Sequence, residues 1–357
     1  MRTAGLVETD ARRMRAACLV GPGRIRVVSL PVPRPGRGEA LVRVEAVGIC
    51  RSDVHYYLFG RIGSQVVRRY PQMLGHEPAG AVAALGSGVR GLEVGDRVAV
   101  EPAAPCGKCA ECRRGRGNIC ARVKFLGMPG LAGAFAEYLA MPVRNLFRIP
   151  PAVSYEEAAA LEPFAIGLHA VGLLGARRIE HALVAGAGPV GLSVLAALKL
   201  GKRRVTVCDY LPARLRVAAR MGADRTVRVL RSRGGGAGAR RLERIHDAVF
   251  EAGGTVESVD LSLRAAAPGG VVALIGILEG DTVPVDMHVP RRKELTIVNV
   301  RRSNGELAAG IRYVAAGRAD LRPMITHRGG LEETARLFKM TAGYRNGVVK
   351  AMVMPWA

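Results

Sequence analysis

The pattern of apolar and polar residues divides the chain into two parts near residue 150. Before that point, short runs alternate apolar and polar residues with a period of two, as half-buried strands do. The clearest runs are residues 41–47, 79–84 and 96–101, and turns rich in glycine or proline separate them. The first part of the chain is therefore predicted to be rich in β-structure.

The pattern after Pro150-Pro151 is different. Ser154 and Glu157 have the spacing of a capping box, which predicts a helix through Leu161. Apolar strands then alternate with helical stretches, and this order is typical of a parallel, doubly wound sheet. The predicted strands cover residues 181–185, 204–208, 248–251 and 270–275.

These patterns predict an α/β protein with two domains. The first would cover residues 1–157, the parallel sheet residues 158–290, and residues 291–357 would rejoin the first domain. A loose tail is predicted for residues 1–13, and its arginines precede no apolar segment, so no secretory signal is visible. Residues 182–198 are largely apolar, but their glycines and proline favour a strand, turn and helix over a membrane span. A cytoplasmic protein without a membrane anchor is expected.

The formal net charge of +23 invites a nucleic-acid-binding interpretation. The arginines are scattered along the chain, however, and aromatic residues make up only 4% of it, so stacking platforms for bases are scarce. We expect no specific nucleic-acid partner. A basic, zinc-stabilised protein that binds nucleic acid remains the non-enzymatic alternative.

A glycine-rich motif follows the predicted strand at residues 181–185. Gly186, Gly188 and Gly191 form G-x-G-x-x-G, a helix follows, and Asp209 ends the next strand 18 residues later. This context is the dinucleotide-binding fingerprint, with the pyrophosphate at the helix N-terminus. Asp209 would accept hydrogen bonds from the adenosine ribose and repel a 2′-phosphate, which favours NAD over NADP, although Arg214 could tolerate that phosphate.

Two groups of residues could bind metal. Cys50, His76 and Glu77 offer a thiolate, an imidazole and a carboxylate, which is the kind of ligand set that catalytic zinc takes when it keeps a position open. A second group spans the segment at about 101–121 and offers four thiolates, which satisfy tetrahedral zinc and predict a structural site. Its members are Cys106, Cys109, Cys112 and Cys120.

The order of open zinc site, closed zinc site and dinucleotide fold resembles the zinc-dependent medium-chain dehydrogenases from about Met14 onward. Residues 52–56, 60–63, 74–77 and 161–163 are similar to segments of the sorbitol/xylitol (polyol) dehydrogenases. The resemblance implies a GroES-like catalytic domain and a Rossmann domain. It also implies two zinc ions per chain, NAD as the cofactor, and a homo-tetramer or homo-dimer.

The resemblance assigns roles to individual residues. Cys50 and His76 would hold the catalytic zinc together with Glu77 or Glu162, and Asp53 would fix the tautomer of His76. Further implied roles concern the proton, the cofactor and the substrate. Ser52 and His55 would relay the proton; the cofactor would contact Arg51, Val190, Asp209, Arg214, Ile275, Ile277 and Val300; the substrate would contact Tyr56, Phe125, Glu162 and Arg301.

The implied reaction is oxidation of a polyol's secondary alcohol to a ketose, by hydride transfer to NAD from the alkoxide that zinc stabilises. An L-threonine 3-dehydrogenase or another alcohol or sugar dehydrogenase of the same superfamily is the enzymatic alternative. One residue departs from the pattern, because Arg302 stands where polyol enzymes usually have tyrosine. A charge there would favour a substrate with a carboxylate or phosphate.

Overall fold

The computed structural model describes residues 12–231, 236–278 and 280–357. The tail predicted for residues 1–13 lies outside this range except for its last two residues, and Arg13 already belongs to the first strand. None of the described helices is long and apolar enough to cross a membrane.

The first part of the chain is built from strands, as the alternating pattern predicts. Its strands are β1 Arg13–Gly21, β2 Arg24–Pro31, β3 Glu39–Gly48, β4 Arg61–Ile62, β5 Gln65–Val66, β6 Gln72–Met73, β7 Glu77–Leu85, β8 Arg97–Val100, β9 Ala103–Ala104, β10 Lys124–Phe125, β11 Tyr138–Pro142 and β12 Leu146–Arg148. Two helices interrupt them, α1 Arg51–Phe59 and the single turn α2 Ala110–Arg113.

The rest of the chain alternates helices and strands. In order these are α3 Tyr155–Ala159, α4 Leu161–Gly172, β13 His181–Ala185, α5 Pro189–Lys199, β14 Arg204–Asp209, α6 Pro212–Arg220, β15 Arg225–Arg228, α7 Gly236–Arg240, β16 His246–Glu251, α8 Val256–Ala265, β17 Ala266–Leu274, α9 His288–Arg292, β18 Thr296–Asn299, α10 Leu307–Ala315, β19 Ile325–Gly330, α11 Thr334–Ala342 and β20 Lys350–Met354.

The parallel sheet has the strand order β15-β14-β13-β16-β17-β18. Numbered from β13, this is the order 3-2-1-4-5-6 of a dinucleotide-binding fold, whose ligands bind where the strand order reverses. That point lies at the carboxyl ends of β13 and β16. The predicted α/β fold class is confirmed, and all four predicted parallel strands are present.

The parallel sheet continues beyond residue 290, which is the predicted end of the domain that contains it. Strand β18, at residues 296–299, pairs in parallel with β17 and forms the edge of the sheet. Helix α10 also packs on this side, with Gly310 close to Leu161 and Phe164 of α4.

The chain returns to the first sheet only at its last two strands. That sheet has the order β12-β8-β7-β3-β20-β19, with β11 also paired to β3. Strand β3 lies between β7 and β20, and Gly48 at its end pairs with Glu77 on one side and Met352 on the other. The end of β3 therefore joins three segments that are distant in sequence.

The predicted capping box is present at the start of α3. The Ser154 hydroxyl accepts a hydrogen bond from the Glu157 amide at 3.1 Å, and the Glu157 carboxylate accepts one from the Ser154 amide at 3.1 Å. Both contacts satisfy amides that a helix start leaves unpaired.

Replacing Ser154 by alanine removes this cap, and we expect the free energy of unfolding to fall by about 1 kcal/mol. Urea denaturation followed by circular dichroism measures the loss. The matched control is Ser87→Ala, because Ser87 is an exposed loop residue whose side chain caps no helix. Equal stability of the two variants would contradict the capping role.

Candidate active site

One cavity of about 310 Å³ is lined by residues of both domains. The first domain contributes the segment after β3 and the start of β7, and α4 contributes Glu162. The parallel sheet contributes the loops after β13 and β16, which are the carboxyl ends where dinucleotides bind. A metal-ligand cluster and a nucleotide motif therefore open into the same space.

Cys50, His76 and Glu77 converge at one end of this cavity. Their ligand atoms all lie within 4.8 Å of one another. Strand pairing explains the convergence, because β3 and β7 are antiparallel and Gly48 pairs with Glu77. Cys50 lies two residues beyond the end of β3, and His76 immediately precedes β7.

The Asp53 carboxylate connects the segments that carry these ligands. Its Oδ2 accepts a hydrogen bond from the Cys50 amide at 3.1 Å, and its Oδ1 accepts one from the Gly75 amide at 3.1 Å. The same Oδ1 lies 3.4 Å from Nδ1 of His76. Burial by itself would lower the pKa of His76, but the charges of Asp53 and Cys50 raise it well above its usual value. Nδ1 faces Asp53, so Nε2 is the nitrogen left to face a metal.

Lys350 forms a fully buried ion pair with Glu77. Its ammonium also donates to the Ile49 carbonyl at 3.3 Å. Burial tends to lower the pKa of Lys350, but the charges of Glu77 and Cys50 raise it. The pair needs Gly48, since a Cβ there would lie 1.9 Å from Oε2 of Glu77. Sequence reasoning missed Lys350, although a lysine within the apolar strand β20 is a signal that could have found it.

Among the described residues that line the cavity, two buried carboxylate oxygens lack a hydrogen-bond partner, namely Oε1 of Glu77 and Oε2 of Glu162. Buried polar atoms are rarely left unsatisfied, so both oxygens fit a site that accepts a cation. Burial raises the pKa of Glu162 to about 8, with the charge of His76 acting in the opposite direction. Glu162 lines the cavity but is not among the three clustered ligands. A thiol, an imidazole and carboxylates suit zinc, so the residues present fit the implied metal.

Helix α1 presents the predicted relay residues to the cavity. Oγ of Ser52 lies 3.4 Å from Nε2 of His76, the nitrogen that faces away from Asp53. His55 is one turn further along α1 and lines the same cavity. Tyr56 also lines it, and its hydroxyl donates to Gln65 at 3.0 Å. Burial raises the pKa of Tyr56 to about 12, so this hydroxyl stays protonated.

The four-cysteine segment forms a compact cluster away from the cavity. The Sγ atoms of Cys109 and Cys112 are 3.4 Å apart, those of Cys109 and Cys120 are 3.8 Å apart, and those of Cys106 and Cys112 are 4.0 Å apart. Zinc–sulfur bonds of about 2.3 Å put tetrahedral thiolates roughly 3.8 Å apart. A hydrogen bond from the Lys108 amide lowers the pKa of Cys106 to about 6. The cluster therefore fits a tetrahedral, four-thiolate metal ion.

The glycines of the nucleotide motif differ in what surrounds them. Gly186 has a φ of +107°, and a Cβ there would lie 2.7 Å from the Gly253 amide nitrogen. A Cβ on Gly191 would lie 1.8 Å from the Gly186 carbonyl oxygen, so Gly191 lets α5 pack on β13. A Cβ on Gly188 would meet only the Arg214 guanidinium, at 3.8 Å. The space beside Gly188 and the N-terminus of α5 is thus open to a ligand such as a pyrophosphate.

Asp209 ends β14 beside this turn and is 4% exposed. Its Oδ2 accepts the Ala187 amide at 2.8 Å, its Oδ1 accepts the Leu211 amide at 2.8 Å, and Arg214 lies 3.8 Å away. The other predicted cofactor residues also line the cavity, except Gly191, which is beneath it. The lining members are Arg51, Gly186, Gly188, Val190, Ile275, Ile277 and Val300.

Tyr344 connects the two domains at the nucleotide end of the cavity, and sequence reasoning did not find it. The guanidinium of Arg51 lies 5.1 Å from the Tyr344 ring centre, and that of Arg214 lies 4.6 Å from it. Tyr210 meets the same ring edge-on at 6.3 Å. No periodicity marks Tyr344, because it lies in an irregular turn with a φ of +51°.

The predicted substrate residues lie near the metal ligands. The Phe125 ring is 5.1 Å from the His76 ring, and the Arg302 guanidinium is 4.7 Å from the centre of Phe125. Arg301 also lines the cavity and is exposed to solvent. The cavity wall near the predicted metal ligands therefore carries an aromatic ring and two arginines.

Comparison with known proteins agrees with this geometry. Residues 36–151 match the alcohol dehydrogenase GroES-like domain, and residues 189–316 match the zinc-binding dehydrogenase family. The chain is 36% identical to sorbitol dehydrogenase of Bacillus subtilis, over 98% of this chain and 99% of that protein. It belongs to the zinc-dependent medium-chain dehydrogenases. This membership favours an enzyme over the non-enzymatic alternative.

Solved structures of similar dehydrogenases contain either nicotinamide cofactor. An Escherichia coli alcohol dehydrogenase complexed with NADH is 28% identical, with a TM-score of 0.85 over 96% of this chain and 99% of that one. A zinc-binding dehydrogenase of Sinorhizobium meliloti bound to NADP is 30% identical, with a TM-score of 0.85 over 96% of this chain and 100% of that one. The chain therefore belongs to a zinc-binding dehydrogenase family in which solved structures similar to it contain NADH or NADP.

Replacing Lys350 by methionine leaves the buried Glu77 carboxylate without its partner, and we expect the free energy of unfolding to fall by about 3–5 kcal/mol. Urea denaturation at matched zinc content measures the change. Lys339→Met is the control, because Lys339 is exposed on α11. The double variant Glu77→Gln, Lys350→Met should regain part of the lost free energy of unfolding. A Lys350→Met variant as stable as the control would refute the stabilising role of the Glu77–Lys350 ion pair.

Proposed function

We propose that the enzyme oxidises a secondary hydroxyl of a polyol to a ketone, with zinc and NAD. The observation that carries the proposal is that Cys50, His76 and Glu77 converge in the same cavity as the nucleotide motif. The similarity to a sorbitol dehydrogenase over almost the whole chain supports a polyol as the substrate class. The tetrathiolate cluster would hold a second, structural zinc ion.

Zinc bound at this site would supply a Lewis acid that makes a substrate hydroxyl easier to deprotonate. Cys50 and His76 are proposed to hold it. The clustered geometry favours Glu77 as the third ligand over Glu162, whose carboxylate lies outside the cluster. Asp53 would hold the His76 ring through Nδ1 and leave Nε2 to bind the metal.

Ser52 is proposed to accept the proton of the reacting hydroxyl. Its Oγ lies 3.4 Å from Nε2 of His76, a proposed metal ligand, so Ser52 would be within reach of a hydroxyl bound at this site. His55, one turn along α1, would take the proton onward. The aromatic ring of Phe125 and the buried Tyr56 would shape the space around the reacting carbon.

NAD is proposed as the preferred cofactor. Its pyrophosphate would lie at the N-terminus of α5, where Gly188 leaves room, and its adenosine ribose beside Asp209. The Asp209 carboxylate disfavours a 2′-phosphate by charge. We further propose a homo-oligomer, a tetramer or a dimer, in the cytoplasm, where reduced thiols are stable.

Replacing Cys50 by serine removes the thiolate ligand, and we expect turnover to fall below detection while NAD binding is retained. NADH formation at 340 nm with D-glucitol measures turnover, and cofactor titration by fluorescence measures binding. The control is Cys18→Ser, because Cys18 is buried in β1 and does not line the cavity. A Cys50→Ser enzyme as active as the control would disprove the metal assignment.

Replacing Asp209 by alanine removes the charge that disfavours a 2′-phosphate. We expect the ratio of kcat/KM for NAD to kcat/KM for NADP to fall about tenfold or more. NAD loses a charge-assisted hydrogen bond to its ribose, and NADP loses the repulsion of its 2′-phosphate. The matched control is Asp320→Ala, which removes an exposed carboxylate paired with Arg322. An unchanged cofactor ratio would rule out this role for Asp209.

A further inference from the structure

Arg302 presents a positive charge to the substrate end of the cavity. Its guanidinium carbon lies over the Phe125 ring, 4.7 Å from the ring centre. Arg302 and Arg301 both line the cavity. The backbone at Arg302 has a φ of +59°, a conformation that residues other than glycine seldom adopt. This placement is therefore maintained by the surroundings rather than by backbone preference.

The hydrogen-bonding capacity of Arg302 is largely unused within the described residues. One terminal nitrogen, Nη1, donates to the Asn118 carbonyl at 3.1 Å, and the other, Nη2, lies 4.0 Å from the sulfur of Met128. A guanidinium has five N–H groups arranged in a planar fork that matches carboxylate and phosphate. Most of that fork is available to a ligand.

No described carboxylate lies within ion-pair distance of Arg302. The charges of Glu162 and Glu101 act on Arg302 from beyond ion-pair distance. Burial, followed by the charge of Arg301, lowers the pKa of Arg302 itself to about 10. A partly buried cation without an anionic partner is costly, so its neighbourhood favours an incoming anion.

The position of Arg302 near a proposed metal ligand fits a bifunctional substrate. The Phe125 ring centre lies 5.1 Å from the His76 ring centre and 4.7 Å from the Arg302 guanidinium. Phe125 thus contacts both a proposed metal ligand and the charged group. A chain whose hydroxyl reacts at the metal can place its far end against the guanidinium.

We propose that Arg302, with Arg301 beside it, binds a terminal anionic group, a carboxylate or a phosphate, on a polyol substrate. The proposal rests on the alcohol oxidation proposed above and narrows its substrate class. A neutral polyol would leave the fork of Arg302 unpaired, whereas a hexonate or a hexitol phosphate would fill it. Arg302 therefore selects the substrate and takes no part in the hydride or proton transfer.

The test compares three substrates of equal chain length with the full-length, zinc-loaded enzyme: D-glucitol, D-glucitol 6-phosphate and D-gluconate. Steady-state kcat/KM is measured for the unmodified enzyme and for Arg302→Gln, Arg302→Lys and Arg90→Gln. Arg90 serves as the matched control, because it is exposed and does not line the cavity. Preference for the phosphate or for the carboxylate identifies which anion the site takes.

We expect at least one anionic substrate to exceed D-glucitol in kcat/KM. Arg302→Gln should lower the anionic-to-neutral ratio by about tenfold to a hundredfold, the range for a lost hydrogen bond to a charged group. Arg302→Lys should retain part of the preference, and Arg90→Gln all of it. If Arg302 had a purely structural role, Arg302→Gln would lower kcat/KM equally for all three substrates. The anionic-to-neutral ratio would then be unchanged, and this result would overturn the proposal.

Calorimetric titration separates this proposal from the proposed function. D-gluconate and D-glucitol 6-phosphate are titrated into the enzyme–NAD complex and into its Arg302→Gln variant. One outcome is that the unmodified enzyme binds the anions, the Arg302→Gln variant does not, and no substrate yields NADH. This result would support the anion site and refute the alcohol oxidation. If the enzyme turns over D-glucitol but binds neither anion, the result would support the alcohol oxidation and refute the anion site.

Discussion

The arrangement of the active site depends on two buried carboxylates whose charges the fold compensates. Asp53 accepts hydrogen bonds from the amides of Cys50 and Gly75 and faces His76, so one side chain fixes two proposed metal ligands relative to each other. Glu77 is held by Lys350, which comes from the last strand of the chain. Buried charges persist only when they are paired. The metal-ligand cluster therefore forms only when β3, β7 and β20 are assembled side by side.

The same constraint connects the two domains. The last strands must pass beyond the parallel sheet and return to β3 so that Lys350 can reach Glu77. On the way, the chain places Arg302 against Phe125 in the cavity wall, and Tyr344 in contact with Arg51 and Arg214. The C-terminal segment thus contributes to the proposed metal, substrate and nucleotide sites of one cavity.

Local sequence signals predicted much of this structure. The glycine motif, the clustered cysteines and the Ser154 capping box each depend on residues close together in the chain, and so each was visible in the sequence. The continuation of the parallel sheet through β18 was not, because residues 296–299 form a short edge strand without a preceding long helix. Lys350 and Tyr344 were missed because their partners lie more than 100 residues away.

The central claim is that Cys50, His76 and Glu77 hold a metal ion in the cavity that also takes the nucleotide. Anomalous diffraction at the zinc edge from crystals of the enzyme grown with NAD tests it most directly. We predict two peaks per chain, one among the four clustered thiolates and one bounded by Cys50, His76 and Glu77 and facing the nicotinamide. A peak at the four cysteines alone, with none beside Cys50 in the zinc-loaded enzyme, would contradict the account.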